Sequence, residues 1–152
     1  MIISFIGHAI VAERTKVEAR LKEAIKASII DQDSVSCYVG QHGDFDEICA
    51  SVCSLLKKEF PSIKIIYVMP YLSLHEQAKV REMQRLKLCD SSIYPPIEKA
   101  PPRFAISKRN DWMVKSASLV IAYVNHRHGG AYRALKTAQS NKKKIVNLGR
   151  LV

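Results

Sequence analysis

Short apolar runs alternate with helical patterns along this chain, and this alternation restricts the possible folds most strongly. The runs are the predicted strands, and they cover residues 2–6, 34–39, 62–69, 118–124 and 143–148. Between two of them, Val17, Leu21, Ile25 and Ile29 recur every four residues, which is typical of one helix face. Strands joined by helices pair in parallel. The sequence therefore predicts an α/β fold with a doubly wound, mainly parallel sheet of about five strands and helices on both faces.

The remaining helices are predicted from the same periodicity, over residues 45–56, 104–116 and 131–140. Residues 71–103 are less regular. Within them, 74–88 is interpreted as a charged helix, whereas four prolines in 94–102 exclude a regular element. This segment is a candidate lid or interface. The length of 152 residues is that of one domain, and we expect a single domain over residues 1–152.

The amino-acid composition indicates which classes of molecule the protein could bind. The net charge is +10, which attracts anions such as nucleic acid or nucleotides, although short lysine runs are also typical of solvated helix faces. No apolar stretch is long enough to cross a bilayer, and the apolar start lacks a secretory cleavage site. We expect a cytoplasmic protein, reduced cysteines that pack in the core, no membrane partner, no cofactor and no metal. A zinc site made by Cys49, Cys53 and His42 does not match the usual ligand spacing.

Polar or glycine-rich stretches follow four of the predicted strands. They are Gly7-His8, residues 40–46, Pro70-Tyr71 and residues 125–130. In open parallel sheets, ligands bind in the crevice beyond the carboxyl ends of the strands. These four stretches are therefore expected to converge on one crevice.

Two of these stretches have the form of an anion site, in which glycines precede a helix: Gly40 to Asp46, and Gly129-Gly130. A glycine lets a phosphate approach the free N–H groups at a helix N-terminus. Neither stretch matches GxGxxG or GxxxxGK[ST], and each glycine could also serve only as a residue of a tight turn. Asp44 is interpreted as a helix cap, and Asp46 either as a cap or as an acceptor for ribose hydroxyls.

Arg109 and Asn110 precede the fourth predicted strand. Arginine suits bidentate phosphate recognition, and asparagine suits a base or a ribose, although a surface arginine beside a buried Trp112 is a common alternative. His126 and His128 form an HxH pair with no third ligand nearby in sequence. Such loop histidines are phosphate donors or bystanders more often than metal ligands.

One enzymatic reaction fits the chain, namely cleavage of the N-glycosidic bond of a nucleotide. No GxSxG elbow is present, which argues against a serine hydrolase. Glycosidic cleavage needs a carboxylate near the anomeric carbon, and the candidates are Asp46 and Glu47.

Motifs along nearly the whole chain resemble the SLOG superfamily, and most closely its small stand-alone YpsA-like members from bacteria and prophages. They are FIGH (5–8), VGQHGDFDEICA (39–50), YVMPY (67–71), KRNDWMVKSASLVIAYV (108–124) and GGAYRALKTAQSNKKKIVNL (129–148). The resemblance implies a Rossmann-like fold that binds a nucleotide or nucleotide-derived ligand. With the strand-end loops, it predicts these ligand-binding residues: Gly7, His8, Gly40, His42, Gly43, Asp46, Pro70, Tyr71, Arg109, Asn110, Gly129, Gly130 and Ala131.

The superfamily divides in function, and three hypotheses follow from it. The first is binding or sensing of a phosphorylated nucleotide ligand, which we favour. The second is a LOG-type phosphoribohydrolase, but such enzymes carry a glutamate where this chain has Lys136. A lysine cannot act as that carboxylate, so catalysis would depend on Asp46 or Glu47. The third is a DprA-like binder of single-stranded nucleic acid. The resemblance also implies a dimer.

Overall fold

The sheet contains six parallel strands in the computed structural model of the protein, which describes residues 1–151. Their spatial order is β4-β3-β2-β1-β5-β6. The bounds are Ile2–Gly7 (β1), Val35–Val39 (β2), Ile63–Val68 (β3), Ser91–Ile93 (β4), Leu119–Tyr123 (β5) and Lys144–Asn147 (β6). The predicted α/β fold is confirmed, and the molecule is Rossmann-like.

Five α-helices connect the strands. They are Arg14–Ile29 (α1), Asp44–Glu59 (α2), Leu74–Arg85 (α3), Ala105–Ser116 (α4) and Gly129–Ser140 (α5), with a 3₁₀ turn at Pro102–Phe104 before α4. No helix among the described residues is both long and apolar enough to cross a membrane.

Alternation along β1 creates two apolar layers. Ile3 and Phe5 pack into the larger core, which also contains buried residues of α1 and α2. Ile6 faces the opposite layer, with residues of α4 and α5. Ser4 is buried on that side as well, and its hydroxyl donates to the carbonyl of Met113 at 2.7 Å. The helices therefore cover both faces of the sheet, as period-two alternation in a buried strand requires.

The sixth strand, β4, was not predicted. It lies in the segment 71–103 and pairs with β3, with Ile66 opposite Ser91. Two of its three residues are exposed, so it lacks the apolar pattern by which strands are recognised. The charged helix expected in the same segment is confirmed as α3, and it ends three residues earlier than predicted.

The order of the strands reverses beside β1. From β1 the chain moves outward through β2 and β3 to β4, and then returns to place β5 on the other side of β1. Ile3 pairs with Cys37 on one side and with Leu119 on the other. Such a switch point leaves a crevice at the carboxyl ends of the two strands, because their connections leave in opposite directions.

Candidate functional site

A crevice of about 570 Å³ lies at this switch point. Its walls come from the loop after β1, the loop between β2 and α2, the middle of α4, and the junction between β5 and α5. All the predicted ligand-binding residues except Gly43, Pro70 and Tyr71 line it. Those that do are Gly7, His8, Gly40, His42, Asp46, Arg109, Asn110, Gly129, Gly130 and Ala131.

The three exceptions lie beside the crevice and not in its wall. Gly43 has a φ of +126°, and a Cβ there would lie 2.5 Å from the Cα of Ala9. This glycine therefore serves close packing between two loops. Pro70 is buried after β3. The hydroxyl of Tyr71 donates to the carbonyl of Pro102 at 3.4 Å, so it contacts the turn before α4.

The N-terminus of α5 opens into the crevice. Gly129 has a φ of +88°, and a Cβ on Gly129 or Gly130 would meet no heavy atom within 4 Å. No side chain caps this end of the helix. The first-turn N–H groups therefore face open space with a partial positive charge, which is the arrangement that binds anions.

Arg109 extends from α4 under the crevice and is only 2% exposed. Its Nη1 donates to the carbonyl of Val68 at 2.8 Å, and its Nε donates to Oδ1 of Asn110 at 2.9 Å. Burial lowers the pKa of this guanidinium, and Asp46 acts in the opposite direction. An arginine stays protonated even so. The floor of the crevice therefore carries a fixed positive charge.

Asp46 approaches this charge from the start of α2. One of its carboxylate oxygens accepts the backbone N–H of His42 at 2.9 Å. A Cβ on Gly40 would lie 2.9 Å from Oδ2 of Asp46 and 3.1 Å from Nη2 of Arg109. Burial raises the pKa of Asp46, and Arg109 together with the His42 hydrogen bond opposes that rise. Only a glycine at position 40 leaves room for both charged groups.

The neighbouring acidic residues have other contacts. The prediction that Asp44 caps α2 is wrong, because no side chain caps that helix. Asp44 instead accepts the N–H of Val11 at 3.0 Å and pairs with Arg14 at 3.3 Å. Glu47 also pairs with Arg14, at 3.4 Å, and it lies outside the crevice wall. Lys136 is exposed on α5 and outside the wall too.

Three histidine rings stack at the rim beside α5. The ring centroids of His8 and His126 lie 3.6 Å apart, and those of His126 and His128 lie 3.8 Å apart. His8 Nε2 accepts the N–H of Asn125 at 3.1 Å. Burial, reinforced by the two other rings, lowers the pKa of His8 to about 4. Stacked rings present faces to each other, and residues 1–151 contain no group of metal-binding side chains suited to hold an ion.

Other lining residues were not among the predicted ligand-binding residues. They include Ile106, Met113 and Asn125, and also His126, which was interpreted only as a phosphate donor or a bystander. Ile106 and Met113 lie one helical turn on either side of Arg109 and Asn110, so helix periodicity carries that signal. Asn125 and His126 belong to the stretch before Gly129, from which only the residues at the helix start were assigned. A buried pair was also missed behind this wall: the Tyr67 hydroxyl donates to Glu76 at 2.8 Å.

Comparison with known proteins identifies the fold. No family model matches the chain, and no curated protein matches it. DNA processing protein A (DprA) of Streptococcus pneumoniae is similar in structure, with 14% identity and a TM-score of 0.65 over 95% of this chain and 49% of that chain. DprA of Helicobacter pylori has 14% identity and a TM-score of 0.64, over 100% of this chain and 66% of that chain.

At this identity the likeness concerns the fold alone. The chain spans about half the length of the first DprA and 66% of the second. YpsA-like membership stays a prediction. Membership of the SLOG superfamily stays a prediction as well, and the chain has a Rossmann-like fold that is similar to the fold of the two DprA structures.

Proposed function

We propose that the crevice binds a phosphorylated small molecule of the nucleotide class, with its phosphate group at the N-terminus of α5. The observation that carries the proposal is the open space in front of Gly129 and Gly130, where uncapped N–H groups face the crevice. Two positive features, the helix end and Arg109, border the same cavity. Phosphate is the anion that such a combination recognises in proteins.

The walls support a ligand larger than inorganic phosphate. A volume of about 570 Å³ is within the range of small-molecule sites. Apolar side chains such as Ile106 and Met113 line it together with polar ones. A nucleotide offers both an anionic end and a flat, partly apolar end, and it therefore matches this mixed lining.

Gly130→Asp tests where the phosphate binds. A Cβ at this position meets nothing, so the variant should fold, and a carboxylate in the first turn of α5 stabilises the helix through its dipole. The same carboxylate repels a bound phosphate. We expect the melting temperature to be equal or higher, while the thermal shift produced by nucleoside mono-, di- or cyclic phosphates is lost.

Gly130→Asn is the matched control, since asparagine has the same size and no charge. It should retain more nucleotide binding than Gly130→Asp. Isothermal titration calorimetry then gives the affinities directly. Absence of any nucleotide-dependent shift in the unsubstituted protein would overturn the proposal.

A second candidate function is binding of single-stranded DNA. The H. pylori structure describes the single-stranded DNA binding mode of that DprA. The net charge of +10 also favours a polyanionic partner. Fluorescence anisotropy with a labelled oligonucleotide at increasing salt measures this directly, because each neutralised phosphate adds to the salt dependence.

The two functions differ in their response to Gly130→Asp. DNA held along a basic face, away from the crevice, would lose little affinity in this variant. Salt-sensitive oligonucleotide binding with no small-ligand effect would favour the second function over the first.

A further inference from the structure

A second cavity, of about 340 Å³, lies beside the crevice, and we call it the side cavity. Its walls come from the first half of α1, the end of β5 and the residues that follow β6. The exposed residue Asn125 lines both the crevice and the side cavity. The two cavities are therefore neighbours, and a ligand that extends past Asn125 occupies both.

The side cavity carries positive charge. Lys16, Arg20 and Arg150 line it together with one carboxylate, that of Glu13. Lys16 pairs with Glu13 at 3.4 Å. Among residues 1–151, no carboxylate lies within ion-pair distance of Arg20 or Arg150. The side cavity therefore attracts an anionic group of its own.

Arg20 is exposed, and yet one of its hydrogen bonds fixes its direction. Its Nη1 donates to the carbonyl of Leu148 at 2.6 Å. A guanidinium has five N–H donors, and this bond uses one of them. No other protein acceptor among residues 1–151 is bonded to the guanidinium. The remaining donors are therefore available to a bound anion.

The segment that holds Arg20 is itself anchored to β5. The side chain of Asn147 accepts the N–H of Val124 at 3.0 Å and donates to its carbonyl at 3.1 Å. The same Asn147 oxygen accepts the N–H of Gly149 at 3.0 Å. A Cβ on Gly149 would lie 2.5 Å from the carbonyl oxygen of Val124, so only glycine allows this close approach. The acceptor for Arg20 is thus in place before a ligand binds, which reduces the entropy lost on binding.

The two positive regions lie on opposite sides of the sheet edge. The start of α5 belongs to a helix that packs on one face, through Ala134 and Leu135. Arg20 belongs to α1, which packs on the other face through Val17 and Leu21. Because the sheet lies between these helices, a single phosphate does not contact both regions. A ligand that does so needs anionic groups on opposite sides of its sugar.

We propose that the side cavity binds a second phosphate group of the ligand, so that the protein prefers a nucleoside 3′,5′-bisphosphate over nucleotides with phosphate at one position only. This inference rests on the proposed nucleotide-binding function. The first phosphate lies at the N-terminus of α5, the sugar lies beside Asn125, and Arg20 pairs with the second phosphate. Guanidinium groups suit this role because two parallel N–H donors match two phosphate oxygens.

The test compares two isomers, adenosine 3′,5′-bisphosphate and ADP, which differ only in where the second phosphate is attached. AMP is the reference with one phosphate, and the corresponding series of another nucleoside is used if the nucleotide screen selects another base. We expect calorimetry to show that the unsubstituted protein binds the bisphosphate about tenfold more tightly than ADP or AMP, as for one charge-assisted hydrogen bond. Arg20→Gln should remove this preference and leave the affinity for AMP unchanged.

Further variants separate charge from structure. Arg20→Lys keeps the charge and should keep part of the preference. Arg150→Gln leaves the hydrogen bond between Arg20 and Leu148 intact, and it should also lower the preference, which a purely structural role of Arg20 does not predict. Arg81→Gln is the matched control, since Arg81 is exposed on α3 and outside both cavity walls, and it should keep the full preference.

Several results would overturn the inference and leave the proposed function standing. One is equal affinity of the unsubstituted protein for the bisphosphate and ADP. A full preference in both Arg20→Gln and Arg150→Gln is another, because the second phosphate would then bind elsewhere. The third is an equal loss for AMP and the bisphosphate in Arg20→Gln, because Arg20 would then act only by supporting the fold.

Two further results reach beyond the side cavity. A labelled oligonucleotide that binds more tightly than the bisphosphate, and that loses as much affinity in Arg20→Gln, would overturn the choice of a small ligand in favour of a nucleic-acid strand. Absence of binding by every nucleotide overturns both proposals.

Discussion

Arg109 is a buried charged side chain that holds two elements together and is also a candidate contact for the proposed ligand. It is 2% exposed, and its two protein hydrogen bonds go to the carbonyl of Val68 and to Asn110. The first bond connects α4 to the end of β3. A bound anion would then use a charge whose position the fold has already fixed, which reduces the entropy lost on binding.

Arg109→Lys should therefore destabilise the protein although it keeps the charge. Lysine has no planar fork and cannot reproduce both hydrogen bonds, so a buried acceptor is left unpaired. We expect the free energy of unfolding to fall by about 1–3 kcal/mol, measured by urea denaturation. Arg81→Lys, at an exposed position on α3, should change it by less than about 0.5 kcal/mol. Equal effects of the two substitutions would contradict the structural role of Arg109.

Individual crevice residues could be predicted where their position directly after a strand was enough to place them at the edge of the sheet that forms the crevice. Gly7, Gly40 and Gly129 follow strands, so the strand-end rule brought them to the correct edge of the sheet. Whether a side chain faces the cavity depends on local contacts that the rule does not contain. Tyr71 follows β3, but its hydroxyl contacts Pro102 and it does not line the cavity. Gly43 packs against Ala9 and does not line the cavity either.

At the scale of an element, α3 has an unusual start. Ser73 and Glu76 have the spacing of a capping box, and the Ser73 hydroxyl does accept the N–H of Glu76 at 3.1 Å. The Glu76 side chain does not return to Ser73. It is buried and accepts the hydroxyl of Tyr67 instead. One half of the box therefore caps the helix, and the other half attaches α3 to the sheet.

Ser73→Ala should lower the free energy of unfolding by about 1 kcal/mol, the usual cost of losing an N-cap. Ser73→Asp should restore most of it, because aspartate also caps and favours the positive helix end. Guanidinium denaturation of the three proteins measures both effects. An unchanged free energy of unfolding in the alanine variant would show that the Ser73 cap contributes nothing, and that other contacts hold α3, such as the Tyr67–Glu76 bond and the buried Val80 and Met83.

The other elements were predictable to the extent that their apolar pattern was strong. The buried faces of α1 and α2 and the β-branched residues of β3 repeat at helix or strand spacing, and each was found. For β4, pairing with β3 provides the stabilisation, and a three-residue, exposed edge strand leaves no pattern in the sequence. The formation of β4 therefore depends on its tertiary contacts and not on its local sequence.

For the whole molecule, the histidines with lowered pKa values predict that the free energy of unfolding decreases at acidic pH. The pKa of His8 and that of His42 are about 4 in the folded state, against an ordinary value of 6.5. The unfolded chain takes up these protons first as the pH falls. Stability is therefore complete above about pH 6.5 and decreases as the pH falls toward 4.

Urea denaturation at a series of pH values between 4 and 7.5 measures this loss. Carboxylates also titrate at the acidic end, so the comparison is with His8→Asn, whose side chain can still accept the N–H of Asn125. The variant should lose less stability over this interval. Parallel curves for the two proteins would show that His8 does not contribute.

The sheet order itself was not predictable from local patterns. Helix and strand positions leave several arrangements open, and the central place of β1 depends on contacts between distant residues. The expected dimer stays a prediction, since it depends on a surface that no local pattern identifies.

The pairing of β1 with β5 also has a consequence for how the protein is made. Ile3 and Leu119 are partners, so during synthesis one edge of β1 stays unpaired until the chain has been made as far as residue 119. An unpaired apolar edge is prone to wrong pairing in that interval. The crevice is completed only when Gly129 and Gly130 arrive, so a ligand could bind only after β5 is available to pair with β1, while β6 has still to be added beside β5.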